Sequence, residues 1–122
     1  MGKYDAFIDA YLKGDSLFRF VYVPSRNELF LEEELEEADN GQFLYVPFKD
    51  SQELFTLMAN FYHEQDGELE QKLYEALSSP SPIKKFEKTM QELGLQQVWE
   101  EKKREYAKKH IVQWLMHYHI EL

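Results

Sequence analysis

The residues best suited to chemistry lie near the end of the chain. His110 and His117 are seven positions apart, about 20° apart around an ideal helix, and share that side with Trp99 and Tyr106. Two imidazoles on an aromatic stripe could line a pocket, serve an enzyme together with Tyr106, or hold a metal between turns. Seven helical residues separate the rings by about 10 Å, too far for one ion without other ligands. His117-Tyr118-His119 is an i,i+2 pair that a helix splays apart; only a frayed end would bring both imidazoles together, with Glu121 as a third donor. Other motifs fail on their spacing. His63-Glu64 opens like a zinc-protease helix, but Gly67 stands where the second His is needed. The five Glu of Glu32 to Glu37 lack the alternating ligands and central Gly of a Ca²⁺ loop. With five Gly in the chain, no nucleophile elbow, P-loop or dinucleotide fingerprint exists. No catalytic residue, metal or cofactor is therefore assigned. Trp99, Tyr106, His110 and His117 are kept as a candidate pocket or partner surface.

A second constellation is basic. Lys84, Lys85 and Lys88, then Lys102, Lys103, Arg104, Lys108 and Lys109, are the candidate anion-contacting residues. Such side chains contact phosphates, and Trp99 or Tyr106 could stack bases if exposed. Glu87, Glu92, Glu100, Glu101 and Glu105 are interleaved with them, the pattern of a charge-balanced helix surface.

Composition sets bounds on both. The 122 residues suit one domain, 1–122, and carry 23 acids against 14 bases, a net charge of −9. Residues 1–82 hold 17 acids and 6 bases, a net of −11, and residues 83–122 hold 6 acids and 8 bases, a net of +2. Such a field repels nucleic acid and anionic membranes at long range. The chain has no cysteine, so disulfides, cysteine-ligated metals and thiol nucleophiles are excluded, and a reducing compartment is favoured. No apolar run approaches the roughly 20 residues of a membrane span, and the first residues do not form a signal-peptide core. A cytoplasmic protein is expected.

The elements that must position these residues follow from periodicity. Tyr4, Phe7, Ile8, Tyr11 and Leu12 recur at helical spacing before Gly14. Leu17 to Val23, stopped by Pro24, reads as a strand; Ser25-Arg26-Asn27 reads as a turn and Glu28 to Leu31 as the returning strand. Glu32 to Glu37 fits strand, helix or loop. Asp39-Asn40-Gly41 marks a turn before a third strand, Gln42 to Val46, ended by Pro47. Asp50 and Glu53 form a capping-box pair ahead of Leu54, Phe55, Leu57, Met58, Phe61 and Tyr62. Gly67 breaks that pattern, and Leu69, Leu73, Ala76 and Leu77 mark another helix. Ser81-Pro82 reads as an N-cap with proline at the first helical position, and Ile83, Phe86, Met90 and Leu93 form a stripe closed by Gly94. A last helix runs from about Leu95 to His119. In it Glu100–Arg104 and Glu105–Lys109 are attractive pairs, and Ile111 to Met116 is apolar almost all round, as in the middle of a bundle.

Two stretches carry a family resemblance. Tyr45-Val46-Pro47-Phe48-Lys49-Asp50-Ser51-Gln52-Glu53-Leu54-Phe55, continuing through Met58 to Phe61, resembles a strand, proline, turn and helix pattern. Leu73 to Leu77, Ile83-Lys84-Lys85-Phe86, Trp99, Ala107 and Trp114-Leu115 resemble the helical remainder of the same pattern. Together, over roughly residues 17–121, they resemble the bacterial uncharacterised protein family numbered 158 in the UPF series. The chain departs from that pattern at Ser79-Pro80-Ser81-Pro82-Ile83, where a Gly-rich turn and an aromatic are usual, and at Ser25-Arg26-Asn27. The resemblance implies a bacterial α+β domain with no assigned activity.

The expected fold is α+β: an N-terminal helix, a small antiparallel sheet of two or three strands, then a four-helix C-terminal bundle packed on it. An acidic front, 1–66, precedes a helical remainder, 67–122. The expected core holds Phe7, Phe20, Tyr22, Val46, Phe55, Met58, Phe61, Leu73, Phe86, Met90, Trp99, Trp114 and Leu115. Aromatic excess, charge asymmetry and the lack of a catalytic motif favour a non-enzymatic module that docks a protein partner or a second copy of itself. Nucleic-acid binding through the basic faces of the last two helices is the alternative.

Overall fold

The structure, a computed structural model, describes residues 2–36 and 41–122. The expected Asp39-Asn40 turn and Glu37 lie outside the described residues. Helix α1 (Asp5–Lys13) leads into a three-stranded antiparallel sheet of β1 (Phe20–Val23), β2 (Glu28–Leu31) and β3 (Leu44–Tyr45). Four helices follow: α2 (Ser51–His63), α3 (Gly67–Leu77), α4 (Pro82–Glu92) and α5 (Gln96–His117). The fold is α+β. The chain divides into two compact units, one of residues 1–49 with 104–122 and one of residues 50–103. Helix α5 gives its first turns to the second unit and the rest to the first.

In the first unit β1 is the central strand, flanked by β2 and β3. Val21, Tyr22 and Val23 are all buried, and since successive strand residues point to opposite faces, β1 is covered on both. The β1–β2 hairpin pairs Val23 with Glu28 and turns through Asn27, whose φ of 49° lies in the left-handed region that Asn tolerates. The Tyr22 hydroxyl holds that residue by donating to Asn27 Oδ1 at 2.7 Å. The core joins Phe7, Ile8 and Tyr11 of α1 to Tyr22, Val46 and, from α5, Ala107, Ile111 and Leu115. Those last three recur at i, i+4 and i+8, a single helical stripe. The apolar run at the end of α5 is accordingly not buried all round: Met116, about 100° from Leu115, is 71% exposed.

In the second unit Met58, Phe61, Leu73, Ala76, Phe86, Met90 and Trp99 close a separate core. Local signals place its helices. Asp50 Oδ1 accepts from Glu53 N–H at 2.7 Å while Glu53 Oε2 accepts from Asp50 N–H at 3.1 Å, the reciprocal box expected from sequence. Helix α4 ends in a Schellman motif, with Leu95 N–H on Met90 O, Gly94 N–H on Gln91 O and Gly94 at φ 72°.

Three further expectations require correction. Phe55 is 39% exposed, because the inward stripe of α2 is Leu54, Met58 and Phe61, and Phe55 lies about 100° away from Leu54. The first strand begins at Phe20 and not at Leu17, because the Asp15 carboxylate holds Leu17 and Phe18 in a turn. Arg104 pairs with Asp9 and Asp5 and not with Glu100, which pairs with Lys103; tertiary approach overrides the local i,i+4 preference. The run at Glu32 resolves as one 3₁₀ turn, Glu32–Glu34, closed by Glu34 Oε1 accepting from Leu31 N–H at 2.8 Å.

Candidate functional site

The α5 residues singled out by type are dispersed among different environments. Trp99 is fully buried in the helical core, edge-on to Phe86 at 5.0 Å and Phe61 at 6.0 Å between ring centroids. Its indole Nε1 is buried without a hydrogen-bond partner, a cost of about 1–3 kcal/mol offset by the area its ring buries. Tyr106 and His110 do come together in the first unit: His110 stacks on Tyr11 at 5.6 Å and lies 4.5 Å from Tyr106 between centroids. His117 is exposed, with its ring edge-on to Tyr118. Among the described residues no three His, Asp or Glu side chains cluster in a way that could hold a metal.

The basic residues separate into engaged and free. Lys103 bridges Glu100 at 2.9 Å and Glu87 at 3.5 Å, and Lys102 reaches Glu64 at 4.0 Å. The Arg104 guanidinium donates to Asp9 Oδ1 at 2.7 Å and Asp5 Oδ1 at 3.4 Å. Its pKa is raised, chiefly by the Asp9 hydrogen bond. Lys108 lies 5.7 Å from the Tyr4 ring, and Lys109 is exposed. Lys84, Lys85 and Lys88 are exposed and, among the described residues, pair with no carboxylate. They line a pocket with Ser79, Pro80 and Ser81.

The most unusual surface was not singled out by sequence. Leu17 is 85% exposed and Phe18 56%, at the tip of the turn between α1 and β1. Asp15 fixes the tip: its Oδ1 accepts from Leu17 N–H and Phe18 N–H, both at 2.8 Å, and its own N–H donates to Phe18 O at 3.1 Å. This side-chain turn removes Leu17 and Phe18 from the strand that their apolar character suggests. Gly14 makes the turn feasible, since a Cβ there would stand 2.8 Å from Ala10 O.

Beside the tip, the Arg19 guanidinium lies 4.0 Å from the Tyr45 ring centroid and 5.7 Å from that of Phe48, a cation–π arrangement. Arg19 Nε is buried and unpartnered. The Tyr45 hydroxyl donates to Glu32 Oε2, and this bond is the main cause of the raised Tyr45 pKa, with desolvation and the Glu32 charge adding and Arg19 opposing. Leu17, Phe18, Arg19, Leu31, Glu32 and Glu33 enclose a hollow of about 120 Å³. The surface is thus an apolar tip and an aromatic-stacked arginine against an acidic rim. Asp15-Ser16, a turn dipeptide directly after Gly14, is the sequence signal that could have revealed it.

A model of the Uncharacterised protein family (UPF0158) matches residues 3–122. The chain belongs to that family. The match spans the sheet and helices α1 to α5, beyond the 17–121 stretch that carried the resemblance. No curated protein and no solved structure matches the chain. No helix among the described residues is long and apolar enough to cross a membrane.

Proposed function

We propose that this UPF0158 member is a small, non-enzymatic protein-interaction module of the bacterial cytoplasm, and that the tip between α1 and β1 is its docking surface. One observation carries the reading: Leu17 and Phe18 stand in solvent on a turn that Asp15 holds with three hydrogen bonds. Exposing a leucine and a phenylalanine forgoes about 1.5–3 kcal/mol of burial for each. A turn already ordered also spares the partner complex much of the entropy of arranging those side chains. Arg and Tyr, here Arg19 and Tyr45, are among the side chains that dominate binding energies at interfaces. The rim of Asp15, Glu32 and Glu33 selects a partner segment with apolar side chains flanked by Lys or Arg. A second copy of this chain would bring the same acidic rim against itself, so a different protein is the expected partner. The cysteine-free composition supports the reducing compartment.

The test compares the wild-type chain with a Leu17→Ser/Phe18→Ser double variant in the producing cell, by cross-linking and mass spectrometry, followed by affinity measurement with the purified partner. A defined complex cross-linked through residues 15–19, and weakened about 100-fold or more by the double variant, is expected. A complex of unchanged affinity in the variant, or one cross-linked only elsewhere, overturns the assignment.

A further inference from the structure

A different surface, in the second unit, has the character of a ligand site. Ser79, Pro80, Ser81, Lys84, Lys85 and Lys88 line a pocket of about 410 Å³, within the usual volume range of small-molecule sites. On a helix, Lys84, Lys88 and Lys85 fall at about 0°, 40° and 100°, so all three ammonium groups can converge on one occupant. Their state sets them apart from the other bases of this unit. Lys72, Lys102 and Lys103 each have a carboxylate within 4.0 Å; among the described residues Lys84, Lys85 and Lys88 have none. In a chain of net charge −9, three adjacent lysines without a counter-charge are a local exception that an anion would relieve.

The groups at the start of α4 suit a phosphate better than a carboxylate. Ser81 makes no side-chain cap on α4, so its hydroxyl is free to donate to an acceptor. Pro82 at the first helical position has no N–H to lose, and the Ile83 and Lys84 amides follow at a helix start, where N–H groups lack intrahelical partners. Three positive charges exceed what the single negative charge of a carboxylate balances, and suit the charge of about −2 of a phosphoryl group or the higher charge of a diphosphate. A nucleic-acid track would need the neighbouring bases as well, and Lys102 and Lys103 are committed to Glu64, Glu87 and Glu100. We infer that the pocket at the start of α4 binds the phosphate or diphosphate group of a small phosphorylated ligand, with Lys84, Lys85 and Lys88 as its cationic contacts.

The experiment is an amide-resolved NMR titration of the full chain at about 50 mM salt, with inorganic phosphate, pyrophosphate, a single-stranded oligonucleotide and a poly-glutamate peptide as separate probes. Saturable shifts with phosphate and pyrophosphate, centred on Ser81, Ile83, Lys84 and Lys85, are expected. A Lys84→Gln/Lys88→Gln variant, checked for an unchanged melting curve, should weaken pyrophosphate about tenfold or more. Lys72→Gln, on another helix, should leave binding as it was. Absence of saturation, shifts spread evenly over all lysines, or equal binding of poly-glutamate overturns the site. Tighter oligonucleotide binding that also depends on Lys102 and Lys109 replaces it with a nucleic-acid face.

Discussion

In the helical unit the rings of Phe61, Phe86 and Trp99 meet edge to face and are withdrawn from water. In the sheet-bearing unit Phe7, Tyr11 and Tyr22 are likewise buried, yet Leu17, Phe18 and the 41% exposed Tyr45 face solvent. Both units spend aromatic side chains on a core, and the helical one also exposes Phe55, Tyr74 and Val98 along its helices; among the described residues the sheet-bearing one holds Leu17 and Phe18 outward on an ordered turn. The helical unit leaves out instead a set of uncompensated lysines. The contrast separates residues that the fold needs from residues that it merely carries, and mutation can test that division.

The largest effect is expected in the helical core. Phe86→Ala removes a fully buried ring that contacts both Phe61 and Trp99 and should cost about 3–5 kcal/mol in denaturant unfolding. Native-state hydrogen exchange should show the lost protection first in α2, α3 and α4. Equal early loss in β1 would break the distinction between the two cores. Asp50→Ala, which removes one half of the α2 capping box, should cost about 1 kcal/mol, read from the same unfolding curves.

A smaller and pH-dependent effect belongs to Tyr45. Its folded pKa is raised, so the folded state keeps its proton where the unfolded chain releases it. The contribution is therefore full below the unfolded tyrosine value of about 10 and is lost as pH rises through the folded value. Glu32→Gln should lower the Tyr45 pKa, followed by ring-carbon chemical shifts against alkaline pH. An unchanged titration would show that Glu32 does not hold the hydroxyl. The smallest effect is expected at the exposed tip: Leu17→Ser/Phe18→Ser should alter unfolding stability by no more than about 0.5 kcal/mol per site. A larger loss would mean that the tip serves the fold and would remove the contrast.

Much of this was legible from local pattern. The capping box at Asp50, proline at the start of α4 and Gly94 at its end can be read along the chain because each is a short-range hydrogen-bond or dihedral requirement. Phe55 falls outside the core because two apolar neighbours, Leu54 and Phe55, cannot both face one direction, and the partner helices choose between them. Leu17 and Phe18 have the apolar character of strand residues, but the Asp15 side-chain turn removes them from the strand. Trp99, Tyr106, His110 and His117 share a side of an ideal helix, but α5 passes from one core into the other, so a common side does not create a common site. Of the eight candidate anion-contacting residues, pairing with Asp5, Asp9, Glu64, Glu87 and Glu100 accounts for Lys102, Lys103 and Arg104.

The sequence by itself determined the element types, the helix ends and the family pattern, since these depend on neighbours within about four residues along the chain. Charge shows where that reach stops. Along the chain it divides into −11 for residues 1–82 and +2 for the rest. Folding returns residues 104–122 to the unit of residues 1–49, so the two units carry −4 and −5. Tertiary structure decided which lysines meet a carboxylate and which apolar side chains meet water. Both depend on segments far apart in sequence being brought within a few ångströms, which local spacing does not encode.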